Sequence, residues 1–188
     1  MNIYRKWLFF SLLSSVPFFT SCDRTKPSLP DLLVVNQQIA TATDPEATNN
    51  DCDTLVITCI DYRFAAANQE FINGTLGLKD NYDHISIPGS IYNLINQETR
   101  SLLFSKFALA VRLHLIKRVI IIGHKDCGAY GGSPVFGSEI AEYETLCADL
   151  IKARELLIEK YPTLDVDLFL ESLNHDGDKA KVLFEKIY

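Results

Sequence analysis

Residues 119–130 read VIIIGHKDCGAY, and this stretch determines how the rest of the chain is interpreted. Its run of β-branched residues indicates a strand that is buried on both faces, as in a parallel sheet. The strand runs into a glycine-containing turn that carries His124 and Cys127, two residue types that bind metals or act as nucleophiles. The stretch therefore predicts an α/β protein with its chemistry at the carboxyl end of a strand.

Strands and helices are predicted to alternate along the chain. We predict strands over residues 54–60, 82–89, 118–124 and 165–172, and helices over residues 31–40, 65–74, 98–116, 138–162 and 176–188. Such alternation is typical of parallel βαβ units. The expected fold is therefore an α/β domain with a parallel-dominated β-sheet flanked by helices.

The N-terminus has the features of an export signal. Residues 1–21 combine a short basic segment with an apolar run that is too short to span a bilayer, which indicates a signal peptide of the lipoprotein type. The segment FTSC resembles a bacterial lipobox, so Cys22 is the predicted lipidation site and residues 22–53 are the predicted tether and N-terminal helix. An ordinary signal peptide is the alternative. We expect a domain over residues 54–188, exported and anchored to a membrane on its periplasmic or cell-surface side.

Composition narrows the classes of function. The chain has 188 residues, of which 47% are hydrophobic, and a formal net charge of −6. This is enough for one domain with a substantial core. The negative charge gives no electrostatic basis for binding nucleic acid, so we expect no nucleic-acid partner.

Three side chains that bind metals are expected to meet at one edge of the sheet. Cys59 ends the first predicted strand, His124 ends the third, and Cys127 follows in the next turn. If these strands are neighbours, their carboxyl ends lie together. Two thiolates and one imidazole suit Zn²⁺ and leave a coordination position open for catalysis. The alternative is a thiol-redox site, in which Cys59 and Cys127 form a disulfide and no metal is bound.

The remaining cysteines are poor candidates for a fourth ligand. Cys52 precedes the first strand, so it is expected at the opposite end of the sheet, and Cys147 is expected to pack as an apolar filler on its helix. Asp61 and Arg63 follow Cys59 in TCIDYRF. In an extended turn both would project towards the site and pair, and an aspartate held by arginine does not readily bind a metal. An ordinary surface ion pair is the alternative.

Two short motifs resemble those of the β-class carbonic anhydrases. CIDYR at residues 59–63 and HKDCG at residues 124–128 match the patterns Cys-x-Asp-x-Arg and His-x-x-Cys-Gly in the same order. The resemblance implies Zn²⁺ held by three ligands, a catalytic dyad, and reversible hydration of CO2 to bicarbonate by a zinc-bound hydroxide. It also implies a homodimer or larger assembly. The implied ligands are Cys59, His124 and Cys127, and the implied dyad is Asp61 and Arg63.

One segment departs from the pattern of that family. Residues 86–90 read SIPGS where the family has an Arg-Asn-Ala-Gly-Asn-like segment, and only Gly89 is kept. Two further alternatives therefore stay open: hydrolysis of carbonyl sulfide or carbon disulfide on the same fold, and a non-catalytic zinc-binding lipoprotein. His175 is either a proton shuttle or, more commonly for such a residue, a polar loop histidine.

Overall fold

The computed structural model describes residues 52–79, 81–176 and 179–188. The predicted signal peptide, the lipidation site Cys22, the predicted helix over residues 31–40 and nearly all of the tether lie outside the described residues. None of the helices in the described part of the chain combines the length and the hydropathy that a membrane span requires.

The strands and helices alternate as far as the fourth strand. The strands are β1 (Thr54–Thr58), β2 (Asp83–Ser86), β3 (Arg118–His124), β4 (Asp165–Asp176) and β5 (Lys179–Ile187). The helices are α1 (Tyr62–Glu70), α2 (Tyr92–Ile95), α3 (Gln97–His114) and α4 (Glu139–Lys160). A π-helical turn (Phe71–Thr75) extends α1, and two 3-10 turns (Gly128–Tyr130 and Ser133–Phe136) follow β3.

The strands form one five-stranded sheet in the order β2-β1-β3-β4-β5. The pairs β1–β2, β1–β3 and β3–β4 are parallel, and β4–β5 is antiparallel. The expected α/β fold with a parallel-dominated sheet is thus confirmed. Because β1 and β3 are parallel neighbours, their carboxyl ends lie side by side at one edge of the sheet.

The two faces of the sheet are both covered, which explains why β1 and β3 are almost continuously apolar. Leu55 and Ile121 belong to the larger core, which includes residues of α2, α3 and α4. Val56 and Ile122 belong to a smaller core on Ile72 of the π-helical turn. Alternate residues of each strand therefore fill opposite cores, and the strand ends are held in fixed positions.

The prediction of a final helix over residues 176–188 was wrong, because this segment forms β5. It pairs with β4 from Leu168↔Ile187 to Asp176↔Lys179, which also extends β4 beyond the predicted end at residue 172. Asp176 and Asp178 suit a helix N-cap, but they flank Gly177 in an Asp-Gly-Asp sequence, and Asp-Gly is also a signal for a tight β-hairpin. Phe184 of β5 stacks on Phe71 at 4.0 Å between ring centroids, so packing across the sheet also favours the strand.

Helix α1 begins at Tyr62, three residues before the predicted start at residue 65. Asp61 is its N-cap and accepts a hydrogen bond from the backbone N–H of Arg63. The extended turn expected after Cys59 was therefore wrong, since Arg63 lies in the first helical turn. The short helix α2 was not predicted, whereas the bounds predicted for β3 agree with the structure.

Candidate metal centre

The structure brings Cys59, His124 and Cys127 together at the carboxyl edge of the sheet. Cys59 directly follows β1, His124 is the last residue of β3, and Cys127 lies in the turn after it. One ligand atom from each residue lies within 4.8 Å of the other two. His124 is 2% exposed and Cys127 is 3% exposed, so the cluster is largely shielded from solvent.

The ring of His124 is oriented for binding at Nε2. Its Nδ1 atom lies 2.8 Å from the backbone carbonyl oxygen of Lys125, which requires Nδ1 to carry the proton and donate. In the neutral ring Nε2 is then an acceptor, and it is buried without a partner among the described residues. A histidine that binds a metal commonly donates its other N–H to a carbonyl in this way.

The pKa values of the two cysteines are shifted in opposite directions. A hydrogen bond from Cys127, followed by those from the backbone N–H groups of Gly89 and Asp61, lowers the pKa of Cys59 despite its partial burial. The same interaction with Cys59, together with burial, raises the pKa of Cys127. The site therefore concentrates negative charge on sulfur, and a divalent cation would favour deprotonation of both thiols.

Asp61 and Arg63 form an ion pair beside this cluster. The Arg63 Nη2 atom lies 2.7 Å from Asp61 Oδ2, and its Nε atom lies 3.1 Å from each carboxylate oxygen. Hydrogen bonding with Arg63 lowers the pKa of Asp61, so the carboxylate stays ionised. Its oxygens are engaged by Arg63, and Asp61 is not a member of the metal-binding cluster described above.

Asp126, which the sequence interpretation missed, holds the other side of the Arg63 guanidinium. Arg63 Nη1 donates to Asp126 Oδ2 at 2.7 Å, and Nη2 donates to the Asp126 carbonyl oxygen at 2.9 Å. Asp126 has a φ of 55°, and its backbone N–H donates to the buried carboxylate of Glu142 at 2.6 Å. The position of Asp126 between His124 and Cys127 was the available sequence signal for a role at the site. The turn that directs its side chain towards Arg63 cannot be derived from the spacing of these residues.

The SIPGS segment contacts the cluster although it departs from the family pattern. The Gly89 N–H donates to Cys59 Sγ at 3.2 Å, and the Ser86 hydroxyl donates to the Cys59 carbonyl oxygen at 3.4 Å. The buried Ser90 hydroxyl donates to the carbonyl oxygen of Ile122 in β3 at 2.8 Å. The segment therefore links the end of β2 by hydrogen bonds to Cys59, which follows β1, and to β3, which carries His124.

Glu171 of β4 is a second residue that sequence interpretation missed. It is 0% exposed, is the register partner of His124, and accepts a hydrogen bond from Asn68 of α1 at 3.3 Å. Burial raises the pKa of Glu171 to about 8, although Asn68 and His124 act in the opposite direction. Its Oε2 atom and the Asn68 Oδ1 atom lack partners among the described residues. Its sequence context gave no signal, because charged residues alternate with apolar ones in DVDLFLES and Glu171 falls on the polar side of that alternation.

The cluster opens into a cleft of about 820 Å³. The cleft is lined by both cysteines of the cluster, by the ion pair, and by small or apolar residues that include Ile60, Pro88, Gly89 and Ala129. His175 lies within β4 rather than after it, is exposed, and lines a different cleft. The four described cysteines, Cys52, Cys59, Cys127 and Cys147, are free thiols.

The residues present fit a zinc ion on chemical grounds. The donor set is two sulfurs and one imidazole nitrogen, the imidazole has an unpartnered buried Nε2, and the local charge favours a cation. The metal-binding role of these three residues and the catalytic role of the ion pair stay predictions.

The family model described as "Putative carbonic anhydrase" matches residues 49–171, which is more than half of the chain and includes the whole cluster. An uncharacterized protein of Rickettsia conorii is 33% identical over 133 residues, covering 68% of this chain and 71% of the relative. An uncharacterized protein of Rickettsia bellii is 32% identical over 147 residues, covering 75% of this chain and 85% of the relative.

Solved structures of carbonic anhydrases also align with the chain. A carbonic anhydrase from Streptococcus mutans is 15% identical, with a TM-score of 0.45, and the alignment covers 85% of this chain and 96% of that one. Beta-carbonic anhydrase isoform I from Trichomonas vaginalis is 17% identical, with a TM-score of 0.43, and the alignment covers 86% of this chain and 100% of that one. The family relationship itself follows from the match over residues 49–171: the chain belongs to the family described as "Putative carbonic anhydrase".

Proposed function

We propose that this protein catalyses the zinc-dependent, reversible hydration of CO2 to bicarbonate. The observation that carries the proposal is the cluster of Cys59, His124 and Cys127, in which the Nε2 atom of His124 is buried and unpartnered among the described residues. An ion pair, Asp61 with Arg63, lines the same cleft. Membership of a carbonic anhydrase family supports the assignment of this chemistry to the cluster.

Cys59, His124 and Cys127 would hold the zinc. When bound there, zinc would act as a Lewis acid that lowers the pKa of a coordinated water to about 7. Asp61, ionised by its contact with Arg63, accepts hydrogen bonds and does not donate them. It would therefore accept a hydrogen bond from the attacking oxygen and orient the lone pair of that oxygen towards CO2. Arg63 keeps the carboxylate engaged and away from the metal position.

The walls of the cleft suit a small, weakly polar substrate. Ile60, Pro88 and Ala129 supply apolar surface near Cys59 and Cys127, where CO2 would approach. The Gly89 N–H is already used by Cys59, so the SIPGS segment would act by positioning the sulfur rather than by binding substrate. This is how a chain lacking the family's usual segment can still complete the site.

The test is to purify the full-length chain under reducing conditions, load it with zinc, and measure CO2 hydration by stopped flow. Asp61→Asn should keep its zinc and lose activity by about 100-fold or more, because the amide cannot replace an ionised acceptor. Asp165→Asn, an exposed residue at the other end of the sheet, is the matched control and should hydrate CO2 like the wild type.

The same preparation should be assayed with carbonyl sulfide and carbon disulfide. Faster turnover of a sulfur analogue than of CO2 would replace the proposed substrate but keep the zinc chemistry. Bound zinc with no turnover of any of the three would indicate the non-catalytic alternative. A Cys59–Cys127 disulfide in a protein that takes up no zinc at this cluster would indicate the thiol-redox alternative.

We also propose that the protein is an exported lipoprotein anchored through Cys22, and that it forms a homodimer or larger assembly. The lipobox-like FTSC supports the anchor, and the resemblance to β-class carbonic anhydrases supports the assembly. Metabolic labelling with a radioactive fatty acid should mark the wild type and not Cys22→Ser, and sedimentation in detergent should give at least twice the mass of one chain. An unlabelled wild type would contradict the anchor, and a monomer would contradict the assembly.

A further inference from the structure

A second group of metal-binding side chains lies at the opposite end of the sheet from the cleft. Cys52 precedes β1, Asp83 is the first residue of β2, and His114 is the last residue of α3. One ligand atom from each of the three lies within 4.8 Å of the other two. Three segments that are distant in sequence thus converge on one point.

Two of the three side chains already interact with each other, and the third is held beside them by a backbone carbonyl. His114 Nδ1 lies 2.7 Å from Asp83 Oδ2, and the Cys52 thiol donates to the Thr54 carbonyl oxygen at 3.3 Å. The Asp83 and His114 side chains are 28% and 34% exposed, so the site is partly buried and an ion can reach it from solvent. The contact of Asp83 with His114 places two of the donor atoms, and the hydrogen bond to Thr54 holds the Cys52 sulfur within reach of the same point.

The charge and chemistry of the group favour a divalent cation. Burial raises the pKa of Cys52, and the carboxylates of Asp83 and Asp53 raise it further, since they place negative charge near the sulfur. A bound cation would lower the pKa of Cys52, because its positive charge would stabilise the thiolate. Sulfur, imidazole and carboxylate are all zinc ligands, at about 2.0–2.3 Å from the ion. Ligands at that range lie about 3–4 Å from each other, so small side-chain rotations would close this group around one ion.

We propose that Cys52, Asp83 and His114 form a second Zn²⁺ site, separate from the cluster at Cys59 and with a structural role. The ion would join the segment preceding β1 to β2 and to the end of α3. It would thereby fix the point where the proposed tether enters the domain. Because the ion would bind the folded chain and not the unfolded one, it would also raise the midpoint of thermal unfolding. The inference does not depend on the proposed catalytic function.

The test uses Co²⁺ as a spectroscopic probe in the full-length chain. Cys59→Ser and Cys127→Ser are combined, so that Cys52 and Cys147 are the remaining thiols among the described residues. Co²⁺ should still produce a thiolate-to-cobalt charge-transfer band in this background. Adding Cys52→Ser should abolish the band. Adding His114→Asn instead should raise the Co²⁺ concentration at which the band reaches half of its maximum. Adding Cys147→Ser should leave the band unchanged, because Cys147 is part-buried but belongs to neither group of metal-binding residues.

A second measurement does not require the combined variant to fold. In the otherwise wild-type chain, Cys52→Ser should bind about one zinc fewer than Cys147→Ser by elemental analysis, and CO2 hydration should be equal in the two. Equal zinc content, or a cobalt–thiolate band that survives Cys52→Ser, would overturn the second site. Loss of hydration in Cys59→Ser with the Cys52-dependent band intact would show that the two sites are separate.

Discussion

The backbone N–H of Gly89 donates a hydrogen bond to the Sγ atom of Cys59 across 3.2 Å. This contact links the end of β2 to a candidate zinc ligand at the end of β1. The backbone conformation and the close packing at this position require glycine. Gly89 has a φ of +82°, and a Cβ atom there would lie 2.5 Å from Ala129 Cβ.

Gly89→Ala should therefore destabilise the protein and weaken the cluster. The positive φ costs about 1–2 kcal/mol and the overlap with Ala129 about 1–3 kcal/mol more. Gly137→Ala is the matched control, because Gly137 has a φ of +73° with nothing within 4 Å of its added Cβ. Urea unfolding should show a larger loss for Gly89→Ala, accompanied by weaker zinc retention at the cluster. Equal losses in both variants, with zinc retained, would show that the contact with Cys59 is incidental.

Arg63 forms ion pairs with both Asp61 and Asp126. We expect substitution of these two aspartates to affect catalysis to different extents. Asp126→Asn should lower CO2 hydration by about 10-fold and leave zinc bound, because supporting groups around a site typically contribute at this level. The loss should be smaller than in Asp61→Asn, since the Asp126 carbonyl oxygen still accepts from Arg63. Hydration rates and zinc content of both variants provide the check. An effect of Asp126→Asn as large as that of Asp61→Asn would mean that Asp126 has a direct role.

The contribution of Glu171 to the stability of the zinc-free protein, taken as the difference between the wild type and Glu171→Gln, should fall with rising pH. The folded pKa of Glu171, about 8, lies above its usual value of 4.5. Between those values the folded state keeps a proton that the unfolded state has lost, so the free energy of unfolding decreases as pH rises. The decrease amounts to about 1.4 kcal/mol for each pH unit within that interval. The contribution is fully present below pH 4.5 and is lost as pH passes about 8.

Glu171→Gln should remove this decline, because an amide stays neutral and keeps an oxygen that can accept from Asn68. Urea unfolding of zinc-free wild type and variant across this pH range measures the effect. Glu144→Gln, on the exposed side of α4, is the control and should follow the wild type. Parallel stability curves for wild type and Glu171→Gln would contradict the prediction.

The cluster was predictable because it depends on one rule of parallel sheets. Cys59 directly follows β1 and His124 ends the neighbouring parallel strand β3, so their meeting follows once the two strands are identified. The contact of Arg63 with Asp126 depends on a turn in which Asp126 adopts a φ of 55°, which spacing does not specify. The group of Cys52, Asp83 and His114 requires knowing where α3 ends relative to β2.

The C-terminal strand was missed for a different reason. Asp176 and Asp178 fit a helix cap as well as a hairpin, and the strand is selected by pairing with β4 and by stacking of Phe184 on Phe71. Those are tertiary contacts, which local sequence signals do not contain. The start of α1 was missed although its signal is local, since Asp61 is a favoured N-cap residue and accepts from the backbone N–H of Arg63.

The central claim is that Cys59, His124 and Cys127 hold a catalytic zinc, and comparing Cys59→Ser with Cys147→Ser tests it most directly. Zinc content and CO2 hydration should be measured on the same preparation of each variant. We predict that Cys59→Ser loses about one zinc and essentially all hydration activity, whereas Cys147→Ser retains both. A Cys59→Ser protein that has lost this zinc and still hydrates CO2 at the wild-type rate would contradict the claim.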